Sequence, residues 1–142
     1  MNPLVLIIDD DTAITDLLSV LLSANGFDAL VANSGSEGLR MIKEQSPRLV
    51  ILDLMMPDMD GWQVCRAVRA FSSVPILILS ALDEPSIVAS VLDLGADDFL
   101  VKPVPSSVLL AHLNKLARRT ETFHRFPHDR SRWQPRTNPL SP

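Results

Sequence analysis

The chain has 142 residues, of which 46% are hydrophobic, and a formal net charge of −4. This composition predicts one ordinary globular domain with a buried core, and no apolar run approaches the roughly 18 residues of a membrane span. The start, MNPLVLIIDDD, lacks the basic region of a secretory signal peptide. The single cysteine, Cys65, excludes an internal disulfide framework. We therefore expect a cytoplasmic protein.

Charge divides the chain into two unequal parts. Residues 1–122 carry nine basic and sixteen acidic side chains, a net charge of −7, whereas residues 123–142 carry four arginines and one aspartate, a net charge of +3. The second part also holds four of the eleven prolines, a composition typical of a flexible extension. We predict a domain over residues 1–122, a flexible Pro/Arg-rich tail over residues 123–142, and no nucleic-acid binding by the acidic domain.

Strand and helix patterns alternate along the domain. Short apolar runs bounded by turn residues predict five buried strands: Leu4–Ile8, Phe27–Ala32, Arg48–Asp53, Pro75–Leu79 and Asp98–Val101. Helical spacing of apolar residues predicts a helix after each strand: Thr12–Asn25, Ser34–Gln45, Asp60–Phe71, Glu84–Leu94 and Ser106–Arg119. Five such units favour an α/β, flavodoxin-like doubly wound sandwich with a five-stranded parallel sheet of order 2-1-3-4-5 and five helices.

The apolar spacing also predicts the buried faces and the ends of the helices. The inward residues are expected to be Ile14, Leu17, Leu18, Leu21 and Leu22 in the first helix, Leu39 and Ile42 in the second, and Val64, Val68 and Phe71 in the third. Asp11 or Thr12 can cap the first helix. Gly26 is predicted at the C′ position of the first helix and Gly95 at the end of the fourth.

Four of the five strands end in residues suited to phosphate chemistry. Asp9 and Asp10 follow the first strand, Asp53 ends the third, Ser80 follows the fourth, and Lys102 follows the fifth. The second strand, expected at the sheet edge, ends in Asn33 and Ser34 and is predicted to carry no chemistry. In the predicted strand order, the four other strand ends surround the crevice at which ligands of such sheets bind.

Crowded carboxylates at this crevice favour a divalent cation. Two carboxylates about 4 Å apart repel each other by roughly 4 kcal/mol at an effective dielectric constant of 20. Mg²⁺ suits such oxygen ligands, with Mn²⁺ as an alternative. Asp53 stands alone at the centre of the crevice and is the predicted nucleophile toward phosphorus. Lys102 and Ser80 are expected to stabilise the charge that develops on the phosphoryl oxygens.

From residue 4 to about residue 119, the chain resembles the receiver domains of two-component response regulators, the CheY-like family. The motifs that carry the resemblance are Asp9-Asp10, the segment DLMMPDMDG from Asp53 to Gly61, Ser80-Ala81 and Lys102-Pro103. The resemblance implies that Asp10, Asp53 and the backbone carbonyl of Met55 bind Mg²⁺ directly, whereas Asp9 acts mainly through water.

The resemblance also implies roles for residues beyond the metal site. Ser80, the amides near Ala81, and Lys102 would hold the phosphoryl oxygens. Ser80 and Phe99 would form the conformational switch, and the bond between Lys102 and Pro103 would be cis. A histidine kinase or a histidine phosphotransfer protein would donate the phosphoryl group to Asp53. Phosphorylation would then change the face formed by helix 4, strand 5 and helix 5.

The sequence is compatible with two hypotheses for the output of the domain. Winged-helix members of the family dimerise through ion pairs on that face, where this chain offers Val88, Val108 and His112, although Asp98 and Arg119 could pair. The first expectation is a stand-alone module, without membrane or nucleic-acid contact, that binds a downstream protein partner or forms a phosphorylation-dependent homodimer. The alternative is the receiver portion of a truncated DNA-binding transcription regulator.

The sequence does not favour a phosphohydrolase function. Phosphohydrolases of the haloacid dehalogenase type require a second aspartate two residues after the nucleophile, and Met55 occupies that position here. We expect no enzymatic activity beyond Mg²⁺-dependent self-phosphorylation from small donors and self-dephosphorylation.

Overall fold

The computed structural model describes residues 1–125, with the side chains of residues 1–119. Five strands and five helices alternate: β1 (Leu4–Ile8), α1 (Thr12–Ser23), β2 (Asp28–Ala32), α2 (Gly35–Gln45), β3 (Leu49–Leu52), α3 (Gly61–Arg69), β4 (Ile76–Ser80), α4 (Pro85–Asp93), β5 (Asp98–Val101) and α5 (Ser106–Arg125). All neighbouring strands are parallel, and their order is β2-β1-β3-β4-β5. The predicted fold class and strand order are confirmed.

Helices cover the sheet on both faces. Because successive side chains of a strand point in opposite directions, the residues of β1 divide between two core clusters. Leu6 and Ile8 of β1 belong to a core cluster that includes residues of α2, α3 and α4. Val5 and Ile7 belong to a second cluster with residues of α1 and α5. This double coverage explains why the central strands are uninterrupted apolar runs.

The helix ends differ slightly from the predicted ones. Asp11 caps α1, because its Oδ1 accepts hydrogen bonds from the backbone N–H groups of Ala13 (3.0 Å) and Ile14 (3.3 Å). The helix ends at the C-cap Ala24, so Gly26, with φ of 88°, lies one position later than predicted. Helix α5 extends to Arg125, past the predicted end at Arg119, and the rest of the predicted tail lies outside the described residues.

Two residues predicted to face the core are exposed instead. Leu17 is 69% exposed, because Leu18 and Leu22 define the buried stripe of α1 and Leu17 lies about 100° around the helix from Leu18. Phe71 is 44% exposed, because α3 ends at Arg69 and the helical spacing from Val68 no longer holds. The ring of Phe71 instead lies under the Lys43 ammonium, with Nζ 4.9 Å from the ring centroid.

Among the described residues, no helix combines the length and the apolar character needed to cross a lipid bilayer.

Candidate phosphoacceptor site

Three aspartates meet at the carboxyl ends of β1 and β3. These two strands are neighbours in the sheet, and the backbone N–H of Asp53 donates to the carbonyl oxygen of Ile8 at 3.0 Å. One carboxylate oxygen each from Asp9, Asp10 and Asp53 lies within 4.8 Å of the other two. Asp9 and Asp53 are only 4% and 7% exposed, whereas Asp10 is exposed. The structure therefore brings the three predicted acidic residues into one cluster.

Lys102 supplies the positive charge of the site. Its backbone N–H donates to the carbonyl oxygen of Ser80 at 2.8 Å, and its side chain reaches past the end of β4 toward the acidic cluster. The ammonium Nζ lies 3.0 Å from Oδ2 of Asp9 and 3.6 Å from Oδ1 of Asp53. The peptide bond between Lys102 and Pro103 is cis. One cation thus contacts both buried carboxylates.

Ser80 and Ala81 lie at the end of β4, between the acidic strands and the lysine. Ser80 is fully buried, and its hydroxyl oxygen accepts a hydrogen bond from the backbone N–H of Leu82 at 3.3 Å. Ala81 is exposed. Phe99 pairs with Ile78 in the sheet register and packs, half-buried, against the first core cluster. The hydroxyl and the aromatic residue are therefore on adjacent strands.

The segment that leads from Asp53 into α3 contains an exposed residue, Met55, and a buried one, Gly61. The Met55 side chain is 60% exposed. Gly61 packs directly beneath Asp53, since a Cβ on Gly61 would lie 2.5 Å from the backbone oxygen of Asp53. A capping box between Asp60 and Gln63 starts α3 at this glycine. The loop from Asp53 to α3 is thus tightly folded against its own strand.

Burial raises the pKa of the Asp53 carboxyl above its usual value of 3.8. The main cause is loss of solvent, and the nearby negative charge of Asp9 raises the pKa further. The Lys102 ammonium and the backbone N–H of Leu54 lower the pKa but do not reverse the shift. Without a divalent cation, the ionised form of Asp53 therefore destabilises the folded domain.

This shift predicts a pH-dependent stability difference between the wild type and Asp53→Asn. In the metal-free protein, the folded state keeps the Asp53 proton to higher pH than the unfolded state, so the contribution of Asp53 to stability falls as pH rises above about 3.8. The asparagine variant lacks this loss and should be the more stable protein at pH 7. Urea unfolding in EDTA at several pH values measures the difference. If the variant were less stable than the wild type at pH 7, or if the difference were independent of pH, the raised pKa of Asp53 would be contradicted.

The sequence did not predict that Asn33 and Thr15 support the loop that carries the acidic pair. The amide of Asn33, at the end of β2, donates to the backbone carbonyl oxygen of Asp9 at 2.9 Å and to the hydroxyl of Thr15 at 3.2 Å. The end of the second strand, predicted to carry no chemistry, thus supplies a supporting hydrogen bond to the site. An asparagine after a strand usually indicates a turn, so the sequence contained no specific signal for this contact.

On the face formed by α4, β5 and α5, Asp97 and Asp98 each contact a basic side chain of α5. Arg119 pairs with Asp97, with Nη2 and Oδ1 3.1 Å apart, and Asp98 contacts His112 instead. Asp97 also accepts hydrogen bonds from Arg69 (3.0 Å) and from the backbone N–H of Ile76 (2.9 Å). Asp98 and Arg119, which the sequence allowed as a pair, therefore have other partners. Arg119 lies instead within reach of a carboxylate already fixed by Arg69 and β4.

Apolar side chains accompany these pairs on the same face. Val88 is half-buried and Val108 is exposed. The face thus combines apolar and charged groups.

The fold and the site together define an α/β domain with an acidic pocket at the topological switch point of a parallel sheet. The family model of the response regulator receiver domain matches residues 5–114. The chain belongs to this family and is a receiver domain of two-component systems. Receiver domains generally bind Mg²⁺ in an acidic pocket and take a phosphoryl group from histidine kinases, and the three aspartates form such a pocket here.

The chain is also similar in sequence to curated response-regulator relatives that are longer than the matched region. The chain is 43% identical over 117 residues to the probable transcriptional regulator ycf27 of Porphyridium aerugineum, and 41% identical over 119 residues to the transcriptional regulatory protein AfsQ1 of Streptomyces coelicolor. These alignments cover 82% and 84% of this chain but only 49% and 53% of the relatives. The chain thus spans about half the length of the curated relatives it matches.

Solved structures share both the fold and the extent of the domain. A Francisella response regulator receiver domain superposes with a TM-score of 0.80 at 36% identity, covering 84% of this chain and 99% of that one. The BeF3-activated receiver domain of Klebsiella pneumoniae RstA superposes with a TM-score of 0.78 at 32% identity, covering 81% and 98%. Vibrio cholerae CheY4 superposes with a TM-score of 0.76 at 30% identity, covering 82% and 99%.

Proposed function

We propose that this chain accepts a phosphoryl group on Asp53 from a phosphohistidine donor, with Mg²⁺ as the cofactor and Mn²⁺ as a possible substitute. The observation that supports this proposal most strongly is the convergence of Asp9, Asp10, Asp53 and Lys102 at one edge of the sheet. A histidine kinase or a histidine phosphotransfer protein would be the donor. A cytoplasmic location is part of this proposal.

The chemistry of the donor set fits a hard divalent cation. Three carboxylates offer oxygen ligands within 4.8 Å of one another, and Mg²⁺ prefers carboxylate and carbonyl oxygens. In our proposal Asp10, Asp53 and the backbone carbonyl of Met55 hold the ion, while Asp9 acts through water. When bound, Mg²⁺ offsets the negative charge of the carboxylates and of the phosphoryl oxygens.

The side chains around Asp53 have complementary roles in the transfer. A carboxylate oxygen of Asp53 forms the new P–O bond while the P–N bond to the donor histidine breaks, and the imidazole leaves with the electron pair. Lys102, with Nζ 3.6 Å from Oδ1 of Asp53, is close enough to bind an oxygen of the transferred group. The hydroxyl of Ser80 and the backbone N–H of Ala81 are proposed as further donors.

Intact-protein mass spectrometry tests the acceptor role. Wild-type protein incubated with acetyl phosphate and Mg²⁺ should gain one phosphoryl group, and Asp53→Asn should gain none because the acceptor oxygen is lost. Asp58→Asn is the matched control, since Asp58 is an exposed aspartate of the same loop, and it should be labelled like the wild type. Labelling of Asp53→Asn would contradict the proposal. Steady hydrolysis of a generic phosphate ester would contradict the expectation that the chain is not an enzyme.

We propose that the output of phosphorylation is a change of the face formed by α4, β5 and α5. Ser80 and Phe99 would couple Asp53 to this face, since they lie on the neighbouring strands β4 and β5. The apolar side chains of Val88 and Val108, beside the paired Asp98 and His112, suit a protein partner or a second copy of the chain. In this proposal the chain acts as a stand-alone module.

The second candidate is the receiver part of a DNA-binding transcription regulator. It is favoured by the relatives, which are described as transcriptional regulators and are about twice as long as the matched region. Gel-filtration chromatography with and without beryllium fluoride, the activator named for the Klebsiella receiver, distinguishes a homodimer from a monomer. A DNA gel shift with the longest reading frame that contains the chain then separates the two candidates.

A further inference from the structure

The edge strand β2 contributes a polar side chain to the loop that carries the acidic pair. Asn33 follows β2 directly, and its Nδ2 donates to the backbone carbonyl oxygen of Asp9 (2.9 Å) and to Oγ1 of Thr15 (3.2 Å). Thr15 is buried in α1, and its hydroxyl donates to the carbonyl oxygen of Thr12 at 3.1 Å. One amide therefore connects β2, the loop after β1 and the first turn of α1.

Other contacts restrain Asp9 at different atoms. Its backbone N–H donates to the carbonyl oxygen of Ala32 (3.1 Å), its Oδ1 accepts from the backbone N–H of Asp11 (3.0 Å), and its Oδ2 accepts from Lys102 (3.0 Å). The contact with Asn33 restrains the carbonyl oxygen. Because a peptide unit is planar, holding this oxygen also fixes the orientation of the peptide group that leads into Asp10.

The position of the Asp10 carboxylate depends on the orientation of this peptide group more than the position of the Asp9 carboxylate does. Its side chain is exposed, and among the described residues its carboxylate makes no hydrogen bond or ion pair. Its distance from the carboxylates of Asp9 and Asp53 is therefore set only by the backbone and by its own side-chain rotamer. A backbone that rotates freely after Asp9 would spread the Asp10 carboxylate over positions from which it no longer meets the other two.

We propose that Asn33 is a positioning residue for the divalent cation, which holds the Asp9–Asp10 peptide so that the Asp10 carboxylate stays beside Asp9 and Asp53. The inference rests on the proposed function, in which these carboxylates bind Mg²⁺. A neutral amide suits this role, because it donates to a carbonyl without adding negative charge to a cluster of three carboxylates. An acidic residue at position 33 would lose the donor and increase the repulsion.

A magnesium titration followed by amide NMR chemical shifts tests the proposal, with Asn33→Ala as the main variant. Loss of one hydrogen bond of this kind corresponds to an affinity change of about two- to tenfold, so the dissociation constant for Mg²⁺ should rise by that factor. At saturating Mg²⁺, the rate of phosphoryl uptake from acetyl phosphate should return toward that of the wild type. An effect on affinity that excess metal overcomes is the signature of a positioning residue.

Ser34→Ala is the matched control, because it changes the adjacent residue and removes a different contact. Ser34 caps α2 by accepting a hydrogen bond from the backbone N–H of Glu37 at 3.2 Å, so this variant loses stability at the same junction without touching Asp9. Its affinity for Mg²⁺ should equal that of the wild type. Asn33→Leu, which keeps a similar volume and also lacks a hydrogen-bond donor, replaces Asn33→Ala if the alanine variant does not fold.

Three outcomes would overturn the proposal. Wild-type affinity in Asn33→Ala, or in Asn33→Leu, would show that the amide supports only the fold. An equal loss of affinity in Ser34→Ala would show that any weakening of the junction has the same effect. Absence of Mg²⁺ binding by the wild type itself would overturn the proposed function together with this inference, and so is distinguishable from the first two results.

Discussion

Replacing Lys102 with methionine is expected to slow phosphoryl uptake by Asp53 about 100-fold or more, a typical effect of removing one preorganised donor. Methionine keeps much of the volume but removes the ammonium that lies 3.0 Å from Asp9 and 3.6 Å from Asp53. Two buried carboxylates then lack their cation, so the metal-free variant should lose about 2 kcal/mol of stability. The added stabilisation by Mg²⁺ should exceed that in the wild type, because the metal replaces the missing charge.

Lys102→Met should thus lower the rate of phosphoryl uptake but raise the stabilisation by Mg²⁺. Uptake from acetyl phosphate is measured by intact-protein mass spectrometry, and stabilisation by the change in melting temperature on addition of Mg²⁺. Lys115→Met is the control, since Lys115 is an exposed lysine of α5 and the variant has the same composition and net charge. Uptake within threefold of the wild-type rate, or a metal effect no larger than that of the wild type, would refute the proposed role.

Gly61→Ala is expected to destabilise the domain by about 1–3 kcal/mol, the usual cost of overpacking, and to slow phosphoryl uptake about 100-fold. The added Cβ would lie 2.5 Å from the backbone oxygen of Asp53 and 2.7 Å from the Cα of Leu54. These are backbone atoms, so the contact is relieved only if the chain at Asp53 moves. A displacement near 1 Å at a reacting group can cost about 100-fold in rate.

Gly26→Ala separates this local displacement from a general loss of stability. Gly26 has φ of 88°, and no atom lies within 4 Å of a Cβ placed there. The variant therefore loses about 1–2 kcal/mol through backbone strain alone, far from Asp53. It should be phosphorylated at the wild-type rate, although chemical denaturation should show a comparable loss of stability. Equal uptake by Gly61→Ala and Gly26→Ala would contradict a steric role of Gly61.

Much of the fold could be predicted because the determining signals are local. The strands are continuous apolar runs such as LVLII and ILIL, and each is followed by a residue that ends it. Parallel strands joined by short connections then leave few permitted orders. Helix faces were less predictable. A run as apolar as that of α1 has more hydrophobic residues than its buried stripe can accommodate, so Leu17 was wrongly placed in the core.

The chemical groups of the site were determined by the sequence alone, because each one directly follows or ends an apolar strand: Asp9 and Asp10, Asp53, Ser80 and Lys102. The tertiary structure decided which side chains hold these groups in place. The amide of Asn33 on the carbonyl of Asp9, the Gly61 contact with Asp53, and the pairing of Asp97 rather than Asp98 with Arg119 join segments distant in the chain. Such contacts depend on how helices and loops pack in three dimensions, and a linear pattern of residue types contains no distance between them.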